Sequence, residues 1–239
     1  MKTETLEYGG DDTSFRGYLA SPDGTARRPG VIVVHEAPGL DDHPKLRARM
    51  LAELGYLALA IDMYGGGKVA GSPKEALATM EPLRTDPARL RRRARAGLEA
   101  LAARSNVNPG QLGAIGYCFG GLTVLELARD GAALRGVVSF HGLLETRNPG
   151  DARNIKGKIL VCTGAEDPLV PDAQVVAFEQ EMRQAGVDWQ VNIYGGAKHA
   201  FTNRDADQIP MPGFGYHKAA DQRSWDAMRS LFSEVFGEA

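Results

Sequence analysis

Uninterrupted apolar runs that alternate with amphipathic helical segments are the feature that most constrains the fold of this chain. Four such runs lie at residues 30–35, 55–62, 111–117 and 135–140. Two further strands are expected after them, at residues 158–164 and 189–196. Apolar runs of this length are typical of parallel strands that are buried on both faces of a sheet. The pattern therefore predicts an α/β protein.

Helical segments fill the intervals between these strands. They are expected at about residues 43–54, 86–103, 119–130, 172–186 and 216–237. In the second, Leu90, Ala94, Leu98 and Leu101 recur at helical spacing and should pack on the sheet. Before the first run, residues 3–9 and 14–20 alternate apolar and polar, which predicts an antiparallel hairpin at the sheet edge. We expect one domain over residues 1–239, with a mostly parallel, doubly wound sheet of about eight strands and flanking helices.

Composition excludes several classes of protein. Hydrophobic residues make up 43% of the chain and charged residues 24%, and the formal net charge is −2. A weakly acidic chain lacks the basic footprint of nucleic-acid binders, although five arginines surround one predicted helix. These are Arg89, Arg91, Arg92, Arg93 and Arg95, and we interpret them as a solvated face. We expect no nucleic-acid partner and no membrane partner, and the oligomeric state stays open.

The first residues show no basic start followed by an apolar core, so no signal peptide is expected. No apolar run approaches the roughly 18 to 20 residues that span a bilayer. Two cysteines, Cys118 and Cys162, are too few for a disulfide framework. These observations together predict a cytoplasmic protein.

The segment Gly116-Tyr117-Cys118-Phe119-Gly120-Gly121 follows an apolar strand and opens an apolar helix. This is the setting of the nucleophile elbow of the α/β-hydrolase fold, here with cysteine in place of serine. The glycines allow a strained turn between strand and helix, and the helix N-terminus favours a thiolate. We therefore predict that Cys118 is a nucleophile and that the amide of Phe119 belongs to an oxyanion hole. Cys162 lies within an apolar strand and is interpreted as core.

In this fold the acid and the histidine follow the nucleophile in that order. Asp167 comes just after the strand at 158–164 and precedes a proline, and His199 comes just after the last strand. We predict that Asp167 and His199 complete a triad with Cys118. His141 could line the pocket or be structural, and both interpretations stay open.

Residues 64–85 interrupt the alternation with several glycines and prolines and only a short helical piece near 74–80. A segment of this kind after a central strand can form a partial lid over a site, or a surface connection without a role. The two interpretations are equally supported by the sequence.

These residues together resemble the dienelactone hydrolase family, the carboxymethylenebutenolidases, over nearly the whole chain. The motifs that carry the resemblance are 35–40 (His-Glu-Ala-Pro-Gly-Leu), 61–64 (Ile-Asp-Met-Tyr), the cysteine elbow, 166–168 (Glu-Asp-Pro) and 199–201 (His-Ala-Phe). The resemblance implies a Cys-Asp-His triad that hydrolyses small esters or lactones. It also implies that Glu36 interacts with the resting thiol and helps to deprotonate it when substrate arrives. The loop after the third strand supplies the second oxyanion amide in this fold, which would be that of Ala37.

Substrate contacts are less well defined. In the dienelactone-specific enzymes, arginines bind the substrate carboxylate, and the matching candidates here are Arg84 and Arg204, with Tyr64 as a further contact. Arg204 lies shortly after His199 but not in the same register as in those enzymes.

The expected chemistry is two-step acyl transfer through a thioester, with no metal and no organic cofactor. The alternative is a non-catalytic binding protein that has retained the hydrolase fold, because a fold alone does not imply activity.

Overall fold

The computed structural model describes residues 1–10 and 13–237 of the chain. Eight strands are present: β1 (Lys2–Gly10), β2 (Thr13–Ser21), β3 (Arg28–Val34), β4 (Leu57–Ile61), β5 (Val107–Tyr117), β6 (Gly136–Phe140), β7 (Lys158–Gly164) and β8 (Trp189–Tyr194). Six α-helices accompany them: α1 (Asp42–Glu53), α2 (Pro73–Arg84), α3 (Pro87–Ala102), α4 (Phe119–Arg129), α5 (Asp172–Ala185) and α6 (Lys218–Phe236). Short 3₁₀ turns occur at Pro149–Asn154 and Ala206–Gln208.

All eight strands form one sheet in the order β1-β2-β4-β3-β5-β6-β7-β8. The strands from β4 to β8 in this order run parallel, whereas β1 and β2 pair antiparallel with each other and β2 pairs antiparallel with β4. The expected edge hairpin and the mostly parallel doubly wound sheet are therefore confirmed.

Helices cover both faces of the sheet, and the strand residues alternate between the two layers. In β3, Ile32 and Val34 pack in the layer with α3, α4 and α5, whereas Val31 and Val33 pack in the layer with α1 and α6. All four side chains are fully buried. This double burial explains why β3 is apolar without interruption rather than alternating.

Helix α3 presents the predicted apolar stripe, and its arginines make contacts within the protein. Arg91 pairs with Glu126 and Asp151, and Arg95 pairs with Asp130. Arg93 is buried and donates to the carbonyl of Met63 at 2.7 Å. These arginines join α3 to α4 and to the segment after β4.

Helix α2 is longer than the short helical piece expected near residues 74–80. Ser72 caps its N-terminus by accepting from the amide of Glu75 at 3.2 Å, and Pro73 occupies the first turn. Pro82 lies inside the helix, where the missing amide removes one hydrogen bond. The helix nevertheless continues through Pro82 to Arg84.

The chain reverses direction across the sheet between β3 and β5. From β3 it continues outward to β4 on one side, and it then returns to β5 on the other side of β3. In open α/β sheets a crevice forms at such a switch point, outside the carboxyl ends of the strands. The loop at 35–41 and the elbow at Cys118 both leave the sheet at this point.

Among the residues that the structure describes, no helix has both the length and the apolar character needed to cross a bilayer.

Candidate active site

Cys118 lies at the sharp turn between β5 and α4, in a backbone conformation that non-glycine residues seldom adopt. Its φ is 52° and its ψ is −113°. The side chain is half-buried, and α4 begins at the next residue. The strain raises the sulfur above the end of the sheet, at a helix N-terminus where free amides favour negative charge.

The glycines around Cys118 are required by close backbone contacts. A Cβ on Gly116 would overlap the carbonyl of Gly120, and a Cβ on Gly120 would overlap the carbonyl of Val34. A Cβ on Gly121 would lie 2.6 Å from the Ser139 hydroxyl. The turn forms only if these three positions have no side chain, because β5, α4 and β3 approach one another too closely to leave room for one.

His199 and Asp167 are hydrogen-bonded to each other at the carboxyl ends of β8 and β7. The Nδ1 of His199 lies 2.8 Å from Oδ2 of Asp167, and both side chains are buried. Asp167 also accepts from the amide of Leu169 at 2.9 Å, which fixes the carboxylate. The proton on Nδ1 leaves Nε2 as the basic nitrogen, and Nε2 has no hydrogen-bond partner among the described residues.

The surroundings of His199 favour its charged form. Burial lowers the pKa of the imidazole, but Cys118 and the Asp167 carboxylate act in the opposite direction and raise it overall. The ring is held in place by Phe214 and His141, whose centroids lie 4.7 and 5.4 Å away. Cys118 and His199 thus interact electrostatically and line the same cavity.

The loop after β3 carries Ala37 to the cavity opposite Phe119. The carbonyl of Ala37 accepts from the Tyr64 hydroxyl at 2.8 Å, and the Tyr64 ring stacks on Phe119 with centroids 6.0 Å apart. Phe119 is the first residue of α4, where amides have no partner within the helix. Both Ala37 and Phe119 line the cavity, and Tyr64 does not. Tyr64 therefore supports the loop rather than contacting the cavity.

Glu36 is buried in the wall of the same cavity. Its Oε2 accepts from Nδ2 of Asn203 at 2.6 Å and lies 3.4 Å from Nδ1 of His43. Burial raises the pKa of Glu36, but its interactions with His43, His141 and the Asn203 amide together lower it to about 2. The carboxylate is therefore ionised at neutral pH.

His141, which the sequence left open, is fully buried beside the elbow. Its Nδ1 accepts from the amide of Cys118 at 3.1 Å, and its Nε2 lies 2.8 Å from the Thr202 hydroxyl. Burial lowers the pKa of His141 well below its usual value. Its φ of 41° is a second strained conformation at the site. The imidazole is neutral, and it links the elbow to the loop that carries His199.

The cavity has a volume of about 540 Å³, within the range of small-molecule sites. Helix α2 and the residues before it form one wall. This wall is held to the β3 loop by the Tyr64 hydroxyl and by the amide of Ala70, which donates to the carbonyl of Pro38 at 2.8 Å. Most of the remaining lining is aliphatic, including Leu122, Leu143, Leu169 and Ile209.

The two arginines expected to contact substrate lie in different places. Arg84 lines the cavity at the end of α2. Arg204 instead lines a neighbouring cavity, of about 540 Å³, which shares Asn203 with the first. The structure therefore places Arg84, but not Arg204, in the lining of the cavity that Cys118 also lines.

Sequence reasoning did not identify the contacts of Asn203 and His43 with Glu36, or that of Thr202 with His141. The sequence contains no signal for these pairs beyond the nearness of Thr202 and Asn203 to His199. Across residues 1–10 and 13–237, no group of three or more His, Cys, Asp or Glu side chains is arranged to hold a metal ion.

Comparison with known proteins gives consistent matches over nearly the full chain. The model of the dienelactone hydrolase family matches residues 15–236. A Bradyrhizobium protein named "Probable 2-oxo-3-(5-oxofuran-2-ylidene)propanoate lactonase" is 30% identical over 243 residues, which cover 95% of this chain and 94% of that protein.

Two solved structures are similar in both sequence and fold. One, named m3DLH, is 46% identical with a TM-score of 0.95 and covers 98% of each chain. The other, a dienelactone hydrolase-like promiscuous phosphotriesterase from metagenomic libraries, is 45% identical with a TM-score of 0.94 over 99% of each chain. The family match and these full-length similarities confirm the resemblance seen in the motifs. This chain belongs to the dienelactone hydrolase family and is a hydrolase of the ester and lactone type.

Proposed function

We propose that the chain hydrolyses small esters or lactones through a Cys118-Asp167-His199 triad and a thioester acyl-enzyme. The observation that carries this proposal is the pair formed by His199 and Asp167, 2.8 Å apart, whose imidazole lines the same cavity as Cys118 and interacts with it. A nucleophile, a base and a group that orients the base are the parts that acyl transfer requires.

In the first step the Cys118 thiol gives its proton to Nε2 of His199, the sulfur attacks the ester carbonyl, and a tetrahedral oxyanion forms. The amides of Phe119 and Ala37 are the proposed donors to this oxyanion. His199 gives a proton to the leaving oxygen, and the C–O bond breaks to leave the acyl group on sulfur. A water molecule then loses a proton to His199 and attacks the thioester, which releases the acid and restores the thiol. Asp167 holds the imidazole tautomer and stabilises its cation.

Esters suit this mechanism better than amides. A tetrahedral intermediate on sulfur expels the better leaving group, and an amine leaves in preference to a thiolate only when it is protonated. The proposed substrates are therefore esters and lactones of a size that fits about 540 Å³.

Glu36 is included in the proposal as a group that acts on the resting thiol and assists its deprotonation. It lines the cavity together with Cys118 and is ionised, so its charge disfavours the resting thiolate while His199 favours it, and the thiolate population then depends on what occupies the site. The carboxylate accepts from Asn203 and lies 3.4 Å from His43, so these two residues orient it. Residues 64–85 are further proposed to act as a partial lid, since α2 forms one wall of the cavity.

Replacing the proposed nucleophile tests this function. We expect Cys118→Ala to lower kcat/KM for p-nitrophenyl acetate by roughly a thousandfold or more, because removal of a triad nucleophile leaves only the contribution of binding and oxyanion stabilisation. Cys162→Ala is the matched control, since that thiol is fully buried in β7, and it should retain activity. Undiminished turnover by Cys118→Ala would refute the proposal.

A second candidate activity is the hydrolysis of neutral phosphotriesters. It is favoured by the 45% identity to the promiscuous phosphotriesterase and by the largely aliphatic lining of the cavity. Here the Cys118 sulfur would attack phosphorus and displace an aryloxide, and water would then break the S–P bond to release a phosphodiester. Release of p-nitrophenol from paraoxon by the wild type but not by Cys118→Ala is the expected result. Failure of the wild type to release it would exclude this activity.

A further inference from the structure

We propose that the cavity selects esters with a neutral, apolar acyl group and rejects those whose acyl group carries a carboxylate. This inference rests on the proposed esterase function and names the class of substrate that the same site accepts. It differs from the expectation, drawn from the family resemblance, that arginines bind a substrate carboxylate.

The only guanidinium lining the cavity within the described residues is that of Arg84, and it is already engaged. Its Nε donates to Oε2 of Glu81 at 2.8 Å, and its Nη2 donates to Oε1 of the same carboxylate at 2.7 Å. Its Nη1 lies 3.4 Å from Oε1 of Glu145. This two-point contact is the geometry in which an arginine would bind a substrate carboxylate. Glu81 therefore competes with a substrate carboxylate for Arg84, although both side chains of this pair are partly exposed.

The fixed charges of the lining also oppose an anion. Glu36 and Glu81 contribute two negative charges, and Arg84 contributes one positive charge. Transfer of a proton between Cys118 and His199 does not change the summed charge of those two residues. His43, next to Glu36, adds a positive charge only when it is protonated. A substrate carboxylate in the cavity would thus be repelled by the net negative charge of the lining. It would also lose its hydration without gaining a free cationic partner.

The rest of the lining is suited to an alkyl group. Leu77 and Met80 from α2 face the cavity together with Leu122, Leu143, Leu169 and Met211 from other elements. An aliphatic acyl chain would bury its apolar surface against these side chains.

A pair of esters with the same leaving group and the same acyl length tests the inference. We expect kcat/KM for p-nitrophenyl hexanoate to exceed that for the mono-p-nitrophenyl ester of adipic acid by roughly tenfold or more, after subtraction of spontaneous hydrolysis. The Glu81→Gln variant should raise the ratio of adipate to hexanoate activity about fivefold, because Arg84 is then free to bind the carboxylate. Adding Arg84→Gln to that variant should abolish the gain.

Glu179→Gln is the matched control. Glu179 is also a glutamate paired with an arginine of its own helix, Arg183 at 2.9 Å, but it lies on α5 and does not line the cavity. This variant should leave the ratio unchanged. If the wild type hydrolyses the adipate ester as fast as the hexanoate ester or faster, the inference is wrong but the esterase function stands. An unchanged ratio of adipate to hexanoate activity in Glu81→Gln would lead to the same conclusion. Absence of turnover for both esters would overturn the function and the inference together.

Discussion

The two cysteines have opposite surroundings, and this contrast defines the chemistry at the scale of single residues. Cys162 lies within β7 and is fully buried, and burial raises the pKa of its thiol to about 12. Cys118 is half-buried at the start of α4 and interacts with His199. A thiolate is the reactive form of cysteine, so burial keeps Cys162 inert, whereas Cys118, which lines the cavity beside His199, is the proposed nucleophile.

Glu36 makes the stability of the protein depend on pH in acid. Its pKa is lowered from 4.5 to about 2 in the folded chain, so ionised Glu36 stabilises the fold fully above pH 4.5. This contribution is lost as the pH falls from 4.5 to about 2, and it amounts to at most about 3 kcal/mol. We expect the free energy of unfolding of Glu36→Gln, measured by urea denaturation, to fall less steeply than that of the wild type across this window.

Glu166→Gln is the control for this measurement, because Glu166 is an exposed carboxylate close to the site. Its unfolding free energy should follow the wild-type pH dependence. If the wild type and Glu36→Gln instead lose stability in parallel between pH 4.5 and 2, the carboxylate does not have the lowered pKa assigned to it.

Part of the site could be predicted from the sequence because it is encoded locally. The elbow around Cys118 is a motif of consecutive residues, and Asp167 and His199 each follow a recognisable strand in the order that the fold requires. Contacts such as Asn203 with Glu36, which are 167 positions apart, depend on how loops meet in space. No local pattern in the sequence encodes such a pair.

At the scale of elements, the elbow depends on how closely β5, α4 and β3 approach one another. Gly120 sits where a side chain would overlap the carbonyl of Val34 and lie 2.8 Å from that of His35. These are backbone atoms of a central strand and its loop, so they cannot move aside without disturbing the sheet. The glycine is therefore a structural requirement of the turn at Cys118.

Replacing this glycine should disrupt both folding stability and activity. We expect Gly120→Ala to lower the free energy of unfolding by about 1–3 kcal/mol, as overpacking of a core usually does, and to reduce esterase activity because α4 is displaced. Chemical denaturation together with p-nitrophenyl acetate turnover measures both. Gly9→Ala on edge strand β1 is the control, since nothing lies within 4 Å of its added Cβ. A Gly120→Ala protein as stable and active as the wild type would show that the turn tolerates a side chain.

At the scale of the whole molecule, the alternation of strands and helices was sufficient to predict the fold class. It predicted the double burial of β3 and the two helical layers, because apolar runs without alternation need cover on both faces. It did not predict the strand order, because the position of β4 between β2 and β3 depends on pairing between segments far apart in the chain. The alternation also did not predict the length of α2, which continues through Pro82 to Arg84.

The strand order places the parts of the site together. The loop with Glu36 and Ala37 and the elbow with Cys118 leave adjacent strands at the switch point, and Asp167 and His199 follow β7 and β8 at the same edge. The central claim is that this arrangement makes Cys118 a nucleophile that carries the acyl group as a thioester.

Mass spectrometry of the protein, acid-quenched during turnover of p-nitrophenyl acetate and digested, detects such a thioester. We expect one acetyl group on the peptide that contains Cys118, removable by hydroxylamine, present also in Cys162→Ala and absent in Cys118→Ala. An acetyl group found on another residue, with Cys118 unmodified while the ester is consumed, would contradict the central claim.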